Sequence, residues 1–181
     1  MTIEEAQHDL RTMYISGFPG QIVSGLIWIA SASLATWSTP KSAILLLVFG
    51  GMFIFPITNL ILRVGFTHKN PLNALAMQIA FTIPLTLPLA GAAALHHLSW
   101  FYPAVLLIVG AHYLPFMTLY GMRVYAVLAG AMIAAGLWIG IAAGGGATFA
   151  FGGWIGGAIE IAFGVAGLAF RATARQSPSP A

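Results

Sequence analysis

The chain has 181 residues, 59% of them hydrophobic and 6% charged, with a formal charge of +3 and no cysteine. A soluble domain carries roughly 25% charged residues to keep its surface in water, so this composition points to an integral membrane protein instead. Disulfides, thiolate catalysis and cysteine-held metals are excluded, and the few bases stand singly at the ends of apolar runs, without the patch that nucleic acid requires.

The first residues include Glu4, Glu5 and Asp9 where a cleaved signal would be basic, so none is expected. Thr2 and Glu5 have the spacing of a capping box, and Ile3, Ala6, Leu10, Met13 and Tyr14 share one helical face. Residues 1–15 therefore read as a short interfacial helix on the cytoplasmic surface, after which Gly17-Phe18-Pro19-Gly20 turns the chain into the bilayer. About 20 apolar residues cross the hydrocarbon core as a helix. Six such spans fit, at 16–37, 42–63, 72–95, 101–120, 124–143 and 149–170. The breaks are Ser38 to Lys41, Gly65 to Asn70, His96 to Ser99, Gly121 to Arg123, and Gly144-Gly145-Gly146. The three glycines are the softest of these, and five spans with one long broken helix is the competing count. A β-barrel is excluded because runs such as Ala43 to Phe49 do not alternate. The expected fold is all-α: a polytopic bundle of six transmembrane helices over 16–170, with a disordered cytoplasmic tail over 171–181.

Arg11, Arg63, Lys69, Arg123, Arg171 and Arg175 fall on one side of this topology and Lys41 alone on the other, which puts both termini in the cytoplasm. Trp37, Trp100, Phe101 and Tyr102 then form an aromatic belt at the opposite interface. At an offset of 60 residues, Gly50, Thr58, Arg63 and Val64 match Gly110, Thr118, Arg123 and Val124, as parallel copies of spans 1–2 and 3–4 would.

Glu160 is the only acidic residue after Asp9 and lies near the middle of the last span. An ionisable group at that depth is costly and marks a functional site or a structural hydrogen bond to a neighbouring helix. Gly153, Gly157, Gly164 and Gly167 share its seam, so it points into protein. Gly17, Gln21, Ser24, Trp28 and Ser31 give the first span a polar inner face, whereas the fifth offers Ala126, Gly130 and Ala134 for packing and is expected to be structural. His112 falls at the depth of Glu160 and is its expected partner. Gln21, Asn59 and Gln78 lie roughly 6–10 Å inside the cytoplasmic boundary at about 1.5 Å per residue, with Arg63 and Arg123 at the boundary itself. This layering predicts a polar vestibule with an acid–base pair at its floor. Pro56, Pro84, Pro88 and Pro115 fall inside spans, and Pro84 and Pro88 with Thr82 and Thr86 mark the third as a hinge or broken helix.

No cofactor is expected. Only His112 lies deep enough for haem, His96-His97 read as exposed turn residues, no carboxylate cluster exists for a metal, and neither a phosphate loop nor a Gly-x-Ser-x-Gly elbow occurs. The segments Phe49 to Pro56 and Leu119 to Arg123, with Ser16-Gly17 to Gly25, resemble a family of small uncharacterised bacterial polytopic inner-membrane proteins. The resemblance spans about residues 4–140, leaves Glu160 outside, and implies a bacterial inner-membrane location without an activity. The expected function is a carrier or channel for a small solute, with Glu160 and His112 as a proton or cation site and Gln21, Asn59, Gln78, Arg63 and Arg123 lining the approach. The alternatives are an intramembrane enzyme acting on a lipophilic substrate, with Glu160 and His112 as acid and base, and a non-catalytic accessory subunit. The bilayer is the expected partner, and the glycine seams offer a homodimer face.

Overall fold

Thr2 starts the first helix as its spacing predicts: its hydroxyl accepts from the Glu5 amide at 3.2 Å, while the Glu5 carboxylate accepts from the Thr2 amide at 2.8 Å. The structure is a computed structural model that describes residues 1–64, 69–142 and 148–176. Helix α1 (Ile3–Met13) is followed by a 3-10 turn at Ile15–Gly17 and then by α2 (Phe18–Trp37), α3 (Pro40–Leu62) and α4 (Asn73–His96). A second 3-10 turn at Leu98–Trp100 leads into α5 (Phe101–Tyr113), α6 (Phe116–Tyr120), α7 (Val124–Ala142) and α8 (Phe151–Gln176). No strand occurs among the described residues. Six segments are long and apolar enough to cross a membrane: Ile15–Trp37, Pro40–Leu62, Asn73–His96, Leu98–Tyr120, Val124–Ile141 and Phe151–Thr173. The chain is an all-α membrane protein, and the six-span count stands over the five-span one. Gly65–His68 and Gly144–Gly146, read as turns, lie outside the described residues, as does the tail beyond Gln176.

α2 is the hub of one half of the bundle, packed on α8 most extensively and on α3 next; α5 is the hub of the other, packed on α7 and α4. α8 joins the halves by meeting both α7 and α5. The α2–α8 seam is built as its spacing predicts. A Cβ added at Gly157 would stand 2.7 Å from Ile29 and 2.9 Å from the Gly25 carbonyl, and one at Gly164 would stand 2.9 Å from the Phe18 carbonyl. Any side chain at either position forces the two backbones apart. Because α2 covers this seam, the glycines offered for a homodimer are used within the chain.

α1 lies across the end of the bundle that carries both described termini. The Gln7 amide donates to the Thr118 carbonyl at 2.6 Å, Arg11 donates to the Tyr120 carbonyl at 2.5 Å, and Asn70 donates to the Ala6 carbonyl and to Asp9 at 3.0 and 2.7 Å. Ala6 and Leu10 are buried, so the apolar face of α1 rests on the bundle, although Ile3 at its edge stays exposed.

Several expectations change. Pro84 and Pro88 do not break α4, which stays continuous; the Thr82 hydroxyl donates to the Ile79 carbonyl at 2.7 Å and that of Thr86 to the Thr82 carbonyl at 2.6 Å. The break falls in the fourth span at Leu114-Pro115, where Pro115 has no N–H to give and the chain tightens through Leu114 N–H to the Ala111 carbonyl at 3.2 Å. Span two is uninterrupted through Pro56, so spans two and four differ where the 60-residue offset would make them alike. α7 turns Gly130 and Ala134 outward and packs through Tyr125, Leu128, Ala129, Met132 and Ile139; its close approach to α5 uses Gly136 and, from α5, Gly110. In the predicted belt Trp37 and Trp100 are exposed, but Phe101 and Tyr102 are buried, the Tyr102 phenol lying 2.6 Å from the Ser31 hydroxyl. α8 runs past 170 to Gln176 because Arg171-Ala172-Thr173-Ala174 contains no helix breaker.

Candidate functional site

Glu160 is fully buried, at 0% exposure, midway along α8 on the face turned to α2 and α5. Its Oε1 accepts from the Tyr113 phenol at 2.7 Å, and Oε2 has no hydrogen-bond partner. The Ser24 hydroxyl of α2 lies beside both the phenol and the carboxyl. Three spans therefore place their polar side chains at one level, and Tyr113 is the last residue of α5 before the break at Leu114-Pro115. One phenol bond cannot compensate a carboxylate removed from water, whose desolvation costs several kcal/mol.

The polar face of α2 continues this site toward the end that carries both termini. Gln21, one turn below Ser24, is buried, keeps its Oε1 without a partner, and lies against the Tyr125 phenol. Tyr125 donates to the Ser16 carbonyl at 2.5 Å, and the Ser16 hydroxyl accepts from Arg171 at 2.5 Å. Arg171 lines a cleft of about 240 Å³ with Ile15, Leu168 and Ala172. A column of buried polar groups, Glu160, Tyr113, Ser24, Gln21, Tyr125 and Ser16, thus reaches the surface at Arg171, walled by the rings of Phe116, Tyr120 and Phe163. Ile15 and Ser16 hold φ of 50° and 56°, a region that costs a residue with a side chain about 1 kcal/mol or more. Gly17 beside them, at φ 78°, has no room for a Cβ against the Tyr125 phenol. The bonds from Tyr125 and Arg171 hold this turn in place.

His112 is not in this column. One helical position from Tyr113, its ring faces α4, where Nδ1 lies 2.8 Å from the Thr82 hydroxyl and the ring packs on Phe116. The expected pairing of His112 with Glu160 is thus replaced by Tyr113 with Glu160, because adjacent residues on a helix point about 100° apart. Gln78 is exposed on the outer side of α4 and does not join Gln21, so the single vestibule ring is not formed. Asn59 is buried at the end of α3 with both amide atoms unpartnered, beside Arg63, in a separate cleft. Arg123 is exposed at the start of α7. Tyr113 and Tyr125, which sequence reading passed over, are the main additions; Tyr125 lies a quarter-turn from Ala126, the residue taken to mark the packing face of span five. His96 and His97 are exposed and lie tilted against Trp100, and no group of three metal-ligating side chains occurs among the described residues.

A model of a family of unknown function, DUF7010, matches residues 3–169. The chain belongs to that family. The match runs beyond the 4–140 stretch on which the resemblance rested and takes in Glu160, so the buried carboxyl lies within the family's extent in this DUF7010 member. No curated protein and no solved structure matches the chain.

Proposed function

We propose that this protein is a small-solute transporter or channel of the bacterial inner membrane, with both termini cytoplasmic and Glu160 as its proton-linked site. The observation that carries the proposal is the junction at Glu160, where a fully buried acid meets side chains from two other spans beside a broken helix. Transporters place coupling groups near the bilayer midplane beside discontinuous helices, whose rearrangement changes access to them. The column from Glu160 to Arg171 supplies hydroxyls and an amide along one side of the carboxyl, and the excess of bases at that end argues that it faces the cytoplasm.

The test is proton movement into proteoliposomes holding a pH-sensitive dye, under an imposed potential and with candidate solutes added in turn. Glu160→Gln is expected to abolish solute-linked proton uptake while the protein still folds; unchanged uptake removes Glu160 from the mechanism. Infrared difference spectra on a pH step are expected to show a carboxylic C=O band that vanishes in Glu160→Gln. A second reading, a non-catalytic accessory subunit, draws on the close α2–α8 packing around Glu160 and on neither described cleft being lined by it. A stoichiometric protein co-purifying from native membranes, with no proton movement by the isolated chain, selects that reading. The intramembrane-enzyme alternative loses its motive, since the imidazole it used as a base bonds to Thr82 and faces away from the carboxyl.

A further inference from the structure

The cleft at the end of α3 carries an arrangement that the Glu160 site does not explain. Asn59 is 2% exposed, and neither its Nδ2 nor its Oδ1 has a hydrogen-bond partner. Leaving a buried polar group unpaired costs about 1–3 kcal/mol, so an amide with both ends open calls for a ligand that accepts and donates. The cleft, about 520 Å³, is lined by Pro56, Asn59, Leu60, Arg63 and Val64. Arg63 stands one turn beyond Asn59 at φ 55°, the helix-ending position where glycine is favoured, and pairs with no carboxylate among the described salt bridges.

The cleft is also graded in polarity. Its guanidinium lies at the end of a membrane-length helix, its amide about 6 Å deeper at 1.5 Å per residue, Leu60 stands beside the amide at 80% exposure, and Pro56 continues the cleft deeper as apolar surface. A soluble anion would match the guanidinium alone. A phospholipid matches the whole gradient: phosphate on Arg63 and Asn59 Nδ2, a headgroup hydroxyl or ammonium donating to Oδ1, and an acyl chain running past Leu60 along Pro56. We propose that this cleft is a phospholipid headgroup site, with Arg63 and Asn59 as its phosphate and headgroup ligands.

The experiment uses the purified full chain in mild detergent, titrated separately with phosphatidylglycerol, phosphatidylethanolamine, diacylglycerol and inorganic phosphate. Bound lipid is counted by native mass spectrometry, and stability is followed by melting temperature. One of the two phospholipids is expected to bind at one per chain and to raise the melting temperature. Arg63→Gln and Asn59→Leu are each expected to weaken that binding about tenfold or more, the loss of one charge-assisted or buried hydrogen bond. In lipid-free detergent Asn59→Leu should melt no lower than the parent, because it removes the two unpaired atoms. Equal phospholipid binding by the parent and Arg63→Gln overturns the site, and since Arg63 is exposed that variant carries the test even where Asn59→Leu misfolds. Diacylglycerol binding as tightly overturns the phosphate role, and inorganic phosphate stabilising as much overturns the lipid assignment. None of these outcomes depends on proton movement through Glu160.

Discussion

Replacing Tyr113 by Phe removes the phenol donor from Glu160 while keeping the ring that packs against Phe116 and Tyr125. No cavity of note is created, so the cost is the bond itself plus a carboxyl left without it. Interhelical hydrogen bonds in membrane proteins average about 0.6 kcal/mol and reach about 1.7. An unsatisfied buried acceptor costs about 1–3 kcal/mol. Ser24, already beside both groups, can turn its hydroxyl to the carboxyl, which holds the loss for Tyr113→Phe alone near 1 kcal/mol and raises it toward about 2 in Tyr113→Phe/Ser24→Ala. Glu160→Leu removes the acceptor, so in that background Tyr113→Phe should cost less, giving a coupling of at least about 0.5–1 kcal/mol. The assay is reversible unfolding in mixed micelles for the parent, each single variant and the double variant. Additivity of Tyr113→Phe and Glu160→Leu within about 0.3 kcal/mol would refute the pairing, and with it the assignment of Tyr113 to the site.

His112→Ala loses the bond to Thr82 and the ring packing on Phe116, and should leave the Tyr113–Glu160 coupling unchanged in the same cycle; a changed coupling would mean that the imidazole reaches the carboxyl after all. Gly157→Ala puts a methyl 2.9 Å from the Gly25 carbonyl and is expected to cost about 1–3 kcal/mol of stability in mixed micelles, against a near-neutral Gly130→Ala, where nothing lies within 4 Å. Gln78→Leu on the outer face of α4 should be neutral or stabilising for the isolated chain; a loss of stability confined to native membranes would place a partner protein there. Arg171→Ala removes donors to Ser16 and to the Arg11 carbonyl, and should speed amide hydrogen exchange at residues 15–17, whose positive φ those bonds help to hold.

How much of this was legible follows from which coordinate a sequence carries. Depth along a span is nearly a count of residues, so six spans and the capped first helix could both be read. Azimuth is legible only where spacing marks a face. The glycines on α8 and the polar run on α2 did so, and both faces are buried as expected. On α7 the same reasoning failed because small residues were taken to mark the packing face. There Tyr125, Leu128 and Met132 fill the space, and the close approach is made at Gly136 and at Gly110 of the neighbouring helix. Small residues permit an interface without requiring one.

The exchange of His112 for Tyr113 has the same origin and a further consequence. At a given level two adjacent residues compete for one direction, and the winner is set by the helix register against its neighbours. That register is held by Gly110 against Ala129 and Ile133 and ends at the Leu114-Pro115 break. Rotating α5 by one position, about 100°, would bring the imidazole toward Glu160 and carry the phenol away. The break at Pro115 is where such a rotation could be taken up without turning α6, whose end is tied to α1 through Thr118 and Tyr120. With a phenol and an imidazole on adjacent positions, such a turn would offer one buried carboxyl two different partners, and cysteine accessibility along 105–112 at two pH values would show whether α5, packed on α7 through Gly110, makes it.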